Sequence, residues 1–392
     1  MIFLLVVING QRYYVFFGKQ NFFLQKKHST FDADTRLLND FFTFSIFFMS
    51  KEFTTLLKKI IYVLLLPIVL LLIYVILDPF KVIKHYDSYY ISDEIPGVSL
   101  NKDYVSTRTF ENNYSLYKYD SFIFGNSRSM FYEVADWKRY IDVNSSCFHF
   151  DANAESLYGM HKKIKYLDSK NVDINNVLFI IDFGTLERIA SSSPFGHLAI
   201  VSPQLENNKN IGSFHLRYIK AFFKPQFMIA YFDYRLSGKV KEYMVKSFLL
   251  DDKPLHYDLK TNEVSYPYFE KLIDMGEYYT AERRAVFYDR NSTEQWYSPP
   301  AIMDEQKQML QEINTVFKKH RTNFKIIVNP LYNQQKLNEH DLSYLNSLFG
   351  KERVFDFSGI NDFTNDFHNY YEESHYRPHI ARKVLEIIYK EE

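Results

Sequence analysis

Val177-Leu178-Phe179-Ile180-Ile181-Asp182-Phe183 is a run in which only Asp182 is charged. Hydrophobicity that is continuous rather than alternating is typical of a strand buried on both faces of a parallel sheet. Four other short apolar runs, rich in aromatic and β-branched residues, have the same character. They are Ser121–Gly125, Cys147–Phe150, Phe324–Asn329 and Arg353–Phe357. Together the five runs predict a five-stranded, mostly parallel sheet.

Helical periodicity separates these runs. In three segments apolar residues recur at intervals of three or four, which predicts helices. The sets are Leu157, Met160, Ile164 and Leu167; Met303, Leu310, Ile313 and Phe317; and Ile380, Val384, Ile387 and Ile388. Pro378 stands near the first turn of the last helix, where proline is tolerated. Strands that alternate with helices predict an α/β fold with a doubly wound sheet.

The segment 191–300 interrupts this alternation. Turn-forming residues mark both of its ends, at Ser191–Pro194 and Ser298–Pro300, and Tyr and Phe are frequent between them. We interpret it as a helical insertion between the third and fourth strands and expect it to cover the functional site.

Ile60–Leu77 is an apolar stretch of 18 residues without a charge. At about 1.5 Å per residue, a helix of this length nearly crosses a hydrocarbon core of about 30 Å. A helix of a soluble domain is rarely apolar on every face, and no small-residue cleavage site follows, as a signal peptide would require. The sequence therefore predicts one transmembrane helix. Lys51, Lys58 and Lys59 precede it, which favours a cytoplasmic N-terminus and a large extracytoplasmic domain.

Residues 1–48 do not resemble a domain, because two short apolar runs are joined by a polar stretch. Met49 opens a more conventional start, with a short basic region at 49–59 ahead of the hydrophobic helix. We therefore expect Met49 to be the initiator and residues 1–48 to be a non-native extension or disordered. Residues 78–114 are expected to form a linker and lead-in, and residues 115–392 the α/β domain.

Composition narrows the classes of function. Lys plus Arg and Asp plus Glu both number 47, so the basic surplus of a nucleic-acid-binding protein is absent. Aromatic residues make up 18% and are spread along the whole chain, which we attribute to compositional bias rather than to platforms for sugar rings. Cys147 is the single cysteine, so no internal disulfide can form, and its apolar surroundings predict a buried strand residue.

Two polar motifs stand where chemistry is expected. Gly125-Asn126-Ser127-Arg128 follows the first predicted strand directly. Ligands bind at the carboxyl ends of strands in open α/β sheets, and backbone N–H groups at such a turn can stabilise an oxyanion. Near the C-terminus, Glu372 precedes His375 by three residues, just ahead of the last helix. A carboxylate in that place can orient an imidazole as general base. Taken alone, the first motif is common in plain turns and the second on protein surfaces.

A metal site is the alternative for the histidines. His375 and His379 are four residues apart and His368 is near, but Pro378 argues against one helix that presents both imidazoles. The sequence has no cysteine cluster, no His-Glu-x-x-His motif and no glycine-rich phosphate loop. We therefore expect neither a metal nor another cofactor.

In this order on an α/β scaffold, the two motifs resemble those of the SGNH (GDSL-like) hydrolase and acyltransferase superfamily. Its nucleophilic serine follows the first strand and its Asp-x-x-His block precedes the last helix. The likeness covers about residues 115–190 and 320–392, and is closest to membrane-anchored proteins similar to polysaccharide O-acetyltransferases and D-alanyl-transfer proteins. It implies a flavodoxin-like SGNH fold with Ser127 as nucleophile, His375 as base and Glu372 in the place of the aspartate.

The chain departs from the family pattern in two places. Glu372 is one methylene longer than the family's aspartate. A Gly-x-Asn-Asp block is missing after the third strand, where Ile181-Asp182-Phe183-Gly184 stands. Asn153 is then the nearest candidate side-chain oxyanion donor, and the alternative is a loop residue ahead of a helix. Gly125 and Arg128 complete the candidate oxyanion and substrate-binding residues, with Arg128 positioning the turn or binding an acidic substrate.

The resemblance implies a membrane-anchored, extracytoplasmic serine esterase or O-acyltransferase that acts on a cell-envelope polysaccharide or glycan. Its partners would be an acyl donor, a glycan acceptor and a multi-pass membrane acyltransferase, and nucleic acid is not expected. The alternative is a catalytically inactive SGNH-like binding or scaffold module in envelope polysaccharide assembly. The long Glu372 and the incomplete oxyanion motifs favour that alternative.

Overall fold

The structure is a computed structural model that describes residues 2–8, 11–17, 22–26, 51–190, 196–245, 250–290 and 294–390. The chain divides into two compact units, residues 1–70 and residues 71–392. The first unit contains an antiparallel three-stranded sheet and most of a long helix. The strands are β1 (Ile2–Ile8), β2 (Gln11–Phe17) and β3 (Phe22–Lys26), and the helix is α1 (Lys51–Leu77).

The sequence analysis assigned no strand to this N-terminal region. Ile8 pairs with Gln11, so only Asn9 and Gly10 connect β1 to β2. Asn-Gly between two β-rich runs is the strongest short-range signal for a hairpin, and it is the signal that the sequence analysis overlooked. Met49 lies outside the described residues, and the position of the translation start stays a prediction.

Helix α1 carries the predicted membrane segment. Its portion Thr54–Leu77 is long and apolar enough to cross a membrane, and its apolar side chains are almost all exposed. A helix that is hydrophobic all round is normally covered by lipid or by protein. The predicted spanning segment is therefore confirmed in length and composition, while the side of the membrane on which the large unit lies stays a prediction.

The second unit holds the remaining elements. Its helices are α2 (Lys102–Tyr117), α3 (Val134–Trp137), α4 (Leu157–Ser169), α5 (Phe183–Leu186), α6 (Ile211–Phe222), α7 (Pro225–Ser237), α8 (Glu242–Val245), α9 (Pro267–Asp274), α10 (Ala281–Arg284), α11 (Asp304–His320), α12 (Glu339–Phe349), α13 (Asp362–Asn365) and α14 (Pro378–Lys390). Its strands are β4 (Gly97–Val98), β5 (Ser121–Phe124), β6 (Cys147–His149), β7 (Asn176–Ile181), β8 (Leu250–Asp251), β9 (His256–Asp258), β10 (Glu263–Ser265), β11 (Asn323–Val328), β12 (Val354–Asp356), β13 (Tyr370–Glu372) and β14 (His375–Tyr376).

Five of these strands form one sheet in which every pair is parallel. The order is β12-β11-β7-β5-β6, which is 2-1-3-4-5 when the five strands are counted along the chain. Each strand lies within two residues of the run that predicted it. The predicted α/β class and five-stranded parallel sheet are therefore confirmed.

Helices cover both faces of the sheet. Phe122, Phe148 and Phe179 belong to one core, together with apolar residues of α2, α4, α11 and α12. Their neighbours Ile123 and Leu178 belong to the other core, together with α14. Successive side chains of a strand point to opposite faces, so a strand buried on both faces must be apolar at nearly every position. This explains the continuous apolar runs in the sequence.

The segment 78–114 is part of the second unit rather than a linker. Phe80 and Val82 are buried in a cluster with residues of α2, α6 and α7. Phe110 of α2 is buried against Phe122, Phe148 and Phe150, with ring centroids 5.5–6.2 Å apart. The expectation failed because aromatic residues spaced irregularly along 78–101 do not form a strand or helix pattern, although they pack as a core.

The insertion lies between β7 and β11, as expected, but its structure is mixed. It contains helices α6 to α10 and the small strands β8, β9 and β10. Strand β8 pairs with β4, and β9 pairs with β10. The crossover helix that leads back into the sheet is α11, directly after the insertion.

Replacement of Phe110 by alanine tests whether α2 is integral to the unit. We expect Phe110→Ala to lower the free energy of unfolding by about 3–5 kcal/mol, because a buried aromatic ring is lost and leaves a cavity. Leu116→Ala is the matched control on the same helix, since Leu116 is 72% exposed, and should change stability by less than about 0.5 kcal/mol. Chemical denaturation of the full chain in detergent measures both. Equal stability of the two variants would contradict this packing.

Candidate active site

Ser127 lies at the turn that follows β5. A Cβ at Gly125 would stand 2.7 Å from the Ser129 Cβ and 3.0 Å from the Ile180 carbonyl oxygen, so no side chain fits at the start of the turn. Asn126 then caps the short helix 127–131, and its side-chain oxygen accepts a hydrogen bond from the Arg128 N–H at 3.0 Å. Ser127 is therefore the first residue of a tightly held turn at the carboxyl edge of the sheet.

His375 and Glu372 lie on the small antiparallel hairpin β13–β14. The two residues are paired across the hairpin, directly after an irregularity between Tyr370 and Glu372. One carboxylate oxygen of Glu372 accepts a hydrogen bond from the His375 Nδ1, and the other accepts one from the Ser374 N–H at 2.7 Å. The carboxylate thus keeps the proton on Nδ1 and leaves Nε2 as an acceptor.

The turn and the hairpin meet at one hydrogen bond. The Ser127 Oγ lies 2.7 Å from the His375 Nε2. Ser127, His375 and Glu372, which the sequence analysis singled out, are therefore brought together in series. A hydroxyl, an imidazole and a carboxylate in this order are the groups that convert a serine into a nucleophile.

The pKa of Glu372 lies below its usual range. Burial raises this pKa, but the hydrogen bonds from His375 and Ser374 and the positive charges of His375 and Arg128 outweigh that effect. Glu372 is therefore ionised at neutral pH, which is the state that stabilises a protonated imidazole.

Arg128 connects the serine turn to the histidine hairpin. Its Nε donates to the Ser374 carbonyl oxygen at 2.7 Å and its Nη2 to the Ser374 Oγ at 3.1 Å. Its Nη1 donates to the Asp182 carboxylate at 2.9 Å. This geometry corresponds to the positioning role that the sequence analysis considered for Arg128, rather than to a guanidinium free to bind an acidic substrate.

Asp182 is a buried residue of the site to which the sequence analysis gave no role. It follows β7 directly and is only 2% exposed. Besides Arg128, it accepts hydrogen bonds from the side-chain amides of Asn126 at 2.8 Å and Asn329 at 3.3 Å, and from the N–H of Thr185 at 2.9 Å. Burial raises its pKa, but the charge of Arg128 and these hydrogen bonds lower the pKa overall. The signal available in the sequence was a polar residue within two positions of the end of three buried strands: Asn126 after β5, Asp182 after β7 and Asn329 after β11.

Asn153 forms no hydrogen bond with Ser127, His375 or Glu372. It is exposed in the turn after β6. Its role as an oxyanion donor stays a prediction. The backbone N–H of Ser127, in contrast, has no hydrogen-bond partner among the described residues and is free to donate to a ligand.

The three histidines near the C-terminus have separate partners. The His379 Nε2 lies 2.9 Å from the Asn369 side-chain oxygen, and the His368 Nδ1 lies 2.8 Å from Asp366. Over the described ranges, no group of three or more His, Cys, Asp or Glu residues could hold a metal ion.

Helix α9 of the insertion supports the hairpin from outside. Glu270 accepts a hydrogen bond from the Tyr371 hydroxyl at 2.6 Å and forms an ion pair with Arg377 at 2.7 Å. Phe131 contacts both Tyr371 and the His375 ring, with centroids 5.7 and 6.0 Å apart. Phe131 therefore packs against the imidazole, and the ion pair of Glu270 with Arg377 holds the neighbouring part of the hairpin, contacts that short-range sequence patterns do not reveal.

No protein-family model, curated protein or solved structure matches the chain.

The lowered pKa of Asp182 predicts a dependence of stability on pH. A carboxylate whose pKa is lower in the folded state stabilises the fold above its unfolded value, about 3.9, and loses this effect as the pH falls through the folded value. Asp182→Asn should remove the part of the folding stability that is lost at acid pH when this carboxylate is protonated. It should also lower stability at pH 7 by about 2–3 kcal/mol, near the lower end for a broken buried ion pair because Arg128 keeps some contact with water.

Urea denaturation of the full chain between pH 3 and pH 7 measures both effects. Asp87→Asn is the control, because the Asp87 side chain is fully exposed and its loss should change stability by less than about 0.5 kcal/mol. If Asp182→Asn loses stability with falling pH just as the unmodified chain does, the lowered pKa of Asp182 in the folded state is contradicted.

Proposed function

We propose that the chain is a membrane-anchored serine esterase or O-acyltransferase of the SGNH-like type, which acts on a glycan of the cell envelope. The observation that carries the proposal is the hydrogen-bonded series from Ser127 through His375 to Glu372. The strand order 2-1-3-4-5 supports a flavodoxin-like topology. Helix α1 supports attachment to a membrane.

The proposed reaction follows from the order of the three groups. The His375 Nε2 takes the proton of the Ser127 hydroxyl, and the Ser127 Oγ attacks the carbonyl carbon of an ester. Glu372, ionised at neutral pH, stabilises the resulting imidazolium. The imidazolium then gives its proton to the departing alkoxide, and an acyl ester remains on Ser127. A sugar hydroxyl or water then attacks this ester, and His375 takes the proton of the attacking group. The Ser127 oxygen leaves and receives that proton from His375.

The oxyanion of the tetrahedral intermediate needs donors close to Ser127. The unpaired backbone N–H of Ser127 is the proposed first donor. The Arg128 N–H is already bonded to the Asn126 side chain. This incomplete set of donors favours the second candidate function, a catalytically inactive binding or scaffold module in envelope polysaccharide assembly.

The proposed partners are an acyl donor and a glycan acceptor. A multi-pass membrane acyltransferase is the proposed source of acyl groups, and the large unit is proposed to lie outside the cytoplasm.

A fluorophosphonate probe distinguishes the two candidate functions. Reactive serines are phosphonylated because the probe imitates an ester and its transition state. The full chain in detergent should be labelled at Ser127, and Ser127→Ala should lose labelling and ester turnover while keeping its folded stability. Ser169→Ala is the control, since the Ser169 hydroxyl bonds only to a backbone carbonyl at the exposed end of α4. A correctly folded chain that is not labelled would refute catalysis and favour the binding module.

Substitutions at Glu372 test the role of the carboxylate. Glu372→Gln keeps the size of the side chain but removes its charge, so we expect turnover to fall about 10²- to 10⁴-fold, the range measured when a general base or its orienting group is lost. Glu372→Asp should retain the charge but lose contact with either His375 or the Ser374 N–H, and we expect a smaller fall. Steady-state hydrolysis of an activated acetyl ester measures both variants. Full activity of Glu372→Gln would remove Glu372 from the mechanism.

A further inference from the structure

Helices α6 and α7 pack against the last turns of α1. The Tyr74 ring lies 5.2 Å from Phe222 at the end of α6. Phe80, just beyond α1, stacks on Phe227 of α7 at 4.7 Å. These residues belong to one buried cluster within the second unit. The α6–α7 pair is therefore fixed to the end of the apolar helix.

This contact determines the depth of the α6–α7 pair relative to a bilayer. Tyr74 precedes the end of α1, at Leu77, by three residues, which is about 4.5 Å along the helix axis. When Thr54–Leu77 crosses the hydrocarbon core, whatever packs on Tyr74 must lie at the boundary between acyl chains and headgroups.

Both helices expose large apolar side chains. In α6, Leu216 is exposed and faces away from the buried residues Phe214 and Tyr218. In α7, Ile229 and Leu236 are 63% and 89% exposed. Ile229 and Leu236 are about two helical turns apart, which places them on one side of the helix, whereas Phe232 is partly buried against the cluster that contains Phe222. Each helix thus has one apolar face in the core and exposes large apolar side chains outward, which in α6 stand beside the exposed basic residues Arg217 and Lys220.

Basic residues border these outer faces. The segment 211–241 contains six Lys and Arg residues, and Asp233 is its only acidic residue. Asp233 is paired with Lys241 at 2.8 Å. The other five basic residues of the segment are exposed, and none of them forms an ion pair within the ranges that the structure describes. They are Arg217, Lys220, Lys224, Arg235 and Lys239.

We infer that the α6–α7 pair lies in the membrane interface as a second attachment of the large unit, an inference that rests on the proposed anchoring by α1. Leu216, Ile229 and Leu236 enter the boundary of the acyl chains, and the basic side chains reach anionic phospholipid headgroups. Apolar side chains on one face with flanking Lys and Arg are typical of interfacial helices. Basic residues near an anionic membrane surface are attracted to it electrostatically.

The attachment also orients the site. Tyr104, at the start of α2, lies in the cluster that holds α6 and α7. Two residues further, the Ser106 hydroxyl donates to the carbonyl oxygen of Asp151, just past the end of β6. Because β6 is parallel to β5, the carboxyl ends of both strands lie at the same edge of the sheet. Asp151 follows the carboxyl end of β6, and Ser127 follows the carboxyl end of β5. The α6–α7 pair therefore lies on the side of the carboxyl edge of the sheet, the edge that carries Ser127 and His375.

Lipid-borne quenchers test this inference. The full chain is reconstituted in vesicles of zwitterionic and anionic phospholipid, with an environment-sensitive dye on Leu236→Cys. Leu116→Cys is the matched control, because Leu116 is an exposed leucine about 18 Å from Tyr104 along α2. Cys147 does not compete for the dye, since it is buried and burial raises its pKa to about 12. Leu66→Cys reports separately on insertion of α1.

We expect brominated lipid to quench the dye at position 236 at least twofold more than at position 116. Combining Lys220→Glu with Lys224→Glu should reduce this difference in anionic vesicles. Quenching at position 66 together with free access of aqueous iodide to position 236 would overturn the interfacial attachment alone. Absence of lipid quenching at position 66 would overturn the anchor and the attachment together. Protection of position 236 from both quenchers would overturn it in favour of a contact with a second copy of the chain.

Discussion

The buried carboxylate of Asp182 is the group on which the geometry of the site depends. It ends the central strand β7, and it accepts amide hydrogen bonds from Asn126 after β5 and Asn329 after β11, the two neighbouring strands. A buried carboxylate without such partners would be neutralised or would destabilise the fold. It also accepts hydrogen bonds from Thr185 and from Arg128, and Arg128 reaches on to Ser374 of the histidine hairpin. Ser127 and His375, which are 248 residues apart in the chain, are thereby held at hydrogen-bond distance.

The length of Glu372 is explained by the hairpin that carries it. Glu372 is paired with His375 across a very short antiparallel turn, after an irregularity in the strand register. One of its oxygens bonds to the imidazole and the other to the Ser374 N–H, within the same turn. The extra methylene lets one carboxylate span both partners. Glu372 therefore contacts both the imidazole and the backbone of the same turn.

The sequence predicted those features that depend on burial and on local motifs. Continuous apolar runs located all five sheet strands, because each strand is covered on both faces. Ser127, His375 and Glu372 were identified from a turn and a helix start. Asp182, Asn329 and Glu270 were not, because each is an isolated polar residue whose partner lies far away in the chain. The segment 78–101 was misjudged for a related reason, since its aromatic residues pack with α6 and α7 rather than with sequence neighbours.

The anchor and the site are connected by helix α2. Its first turn packs with the end of α1 and with α6 and α7, while Phe110 packs on β5 and β6. A helix is stiff over its length, so α2 sets the carboxyl edge of the sheet at a fixed height above the cluster around Tyr74. With the proposed anchoring by α1, a serine at this edge would be presented to the region just above the bilayer surface. For the proposed acyl transfer, this arrangement favours a donor held by the membrane over one that diffuses freely, because both reactants are confined near one plane.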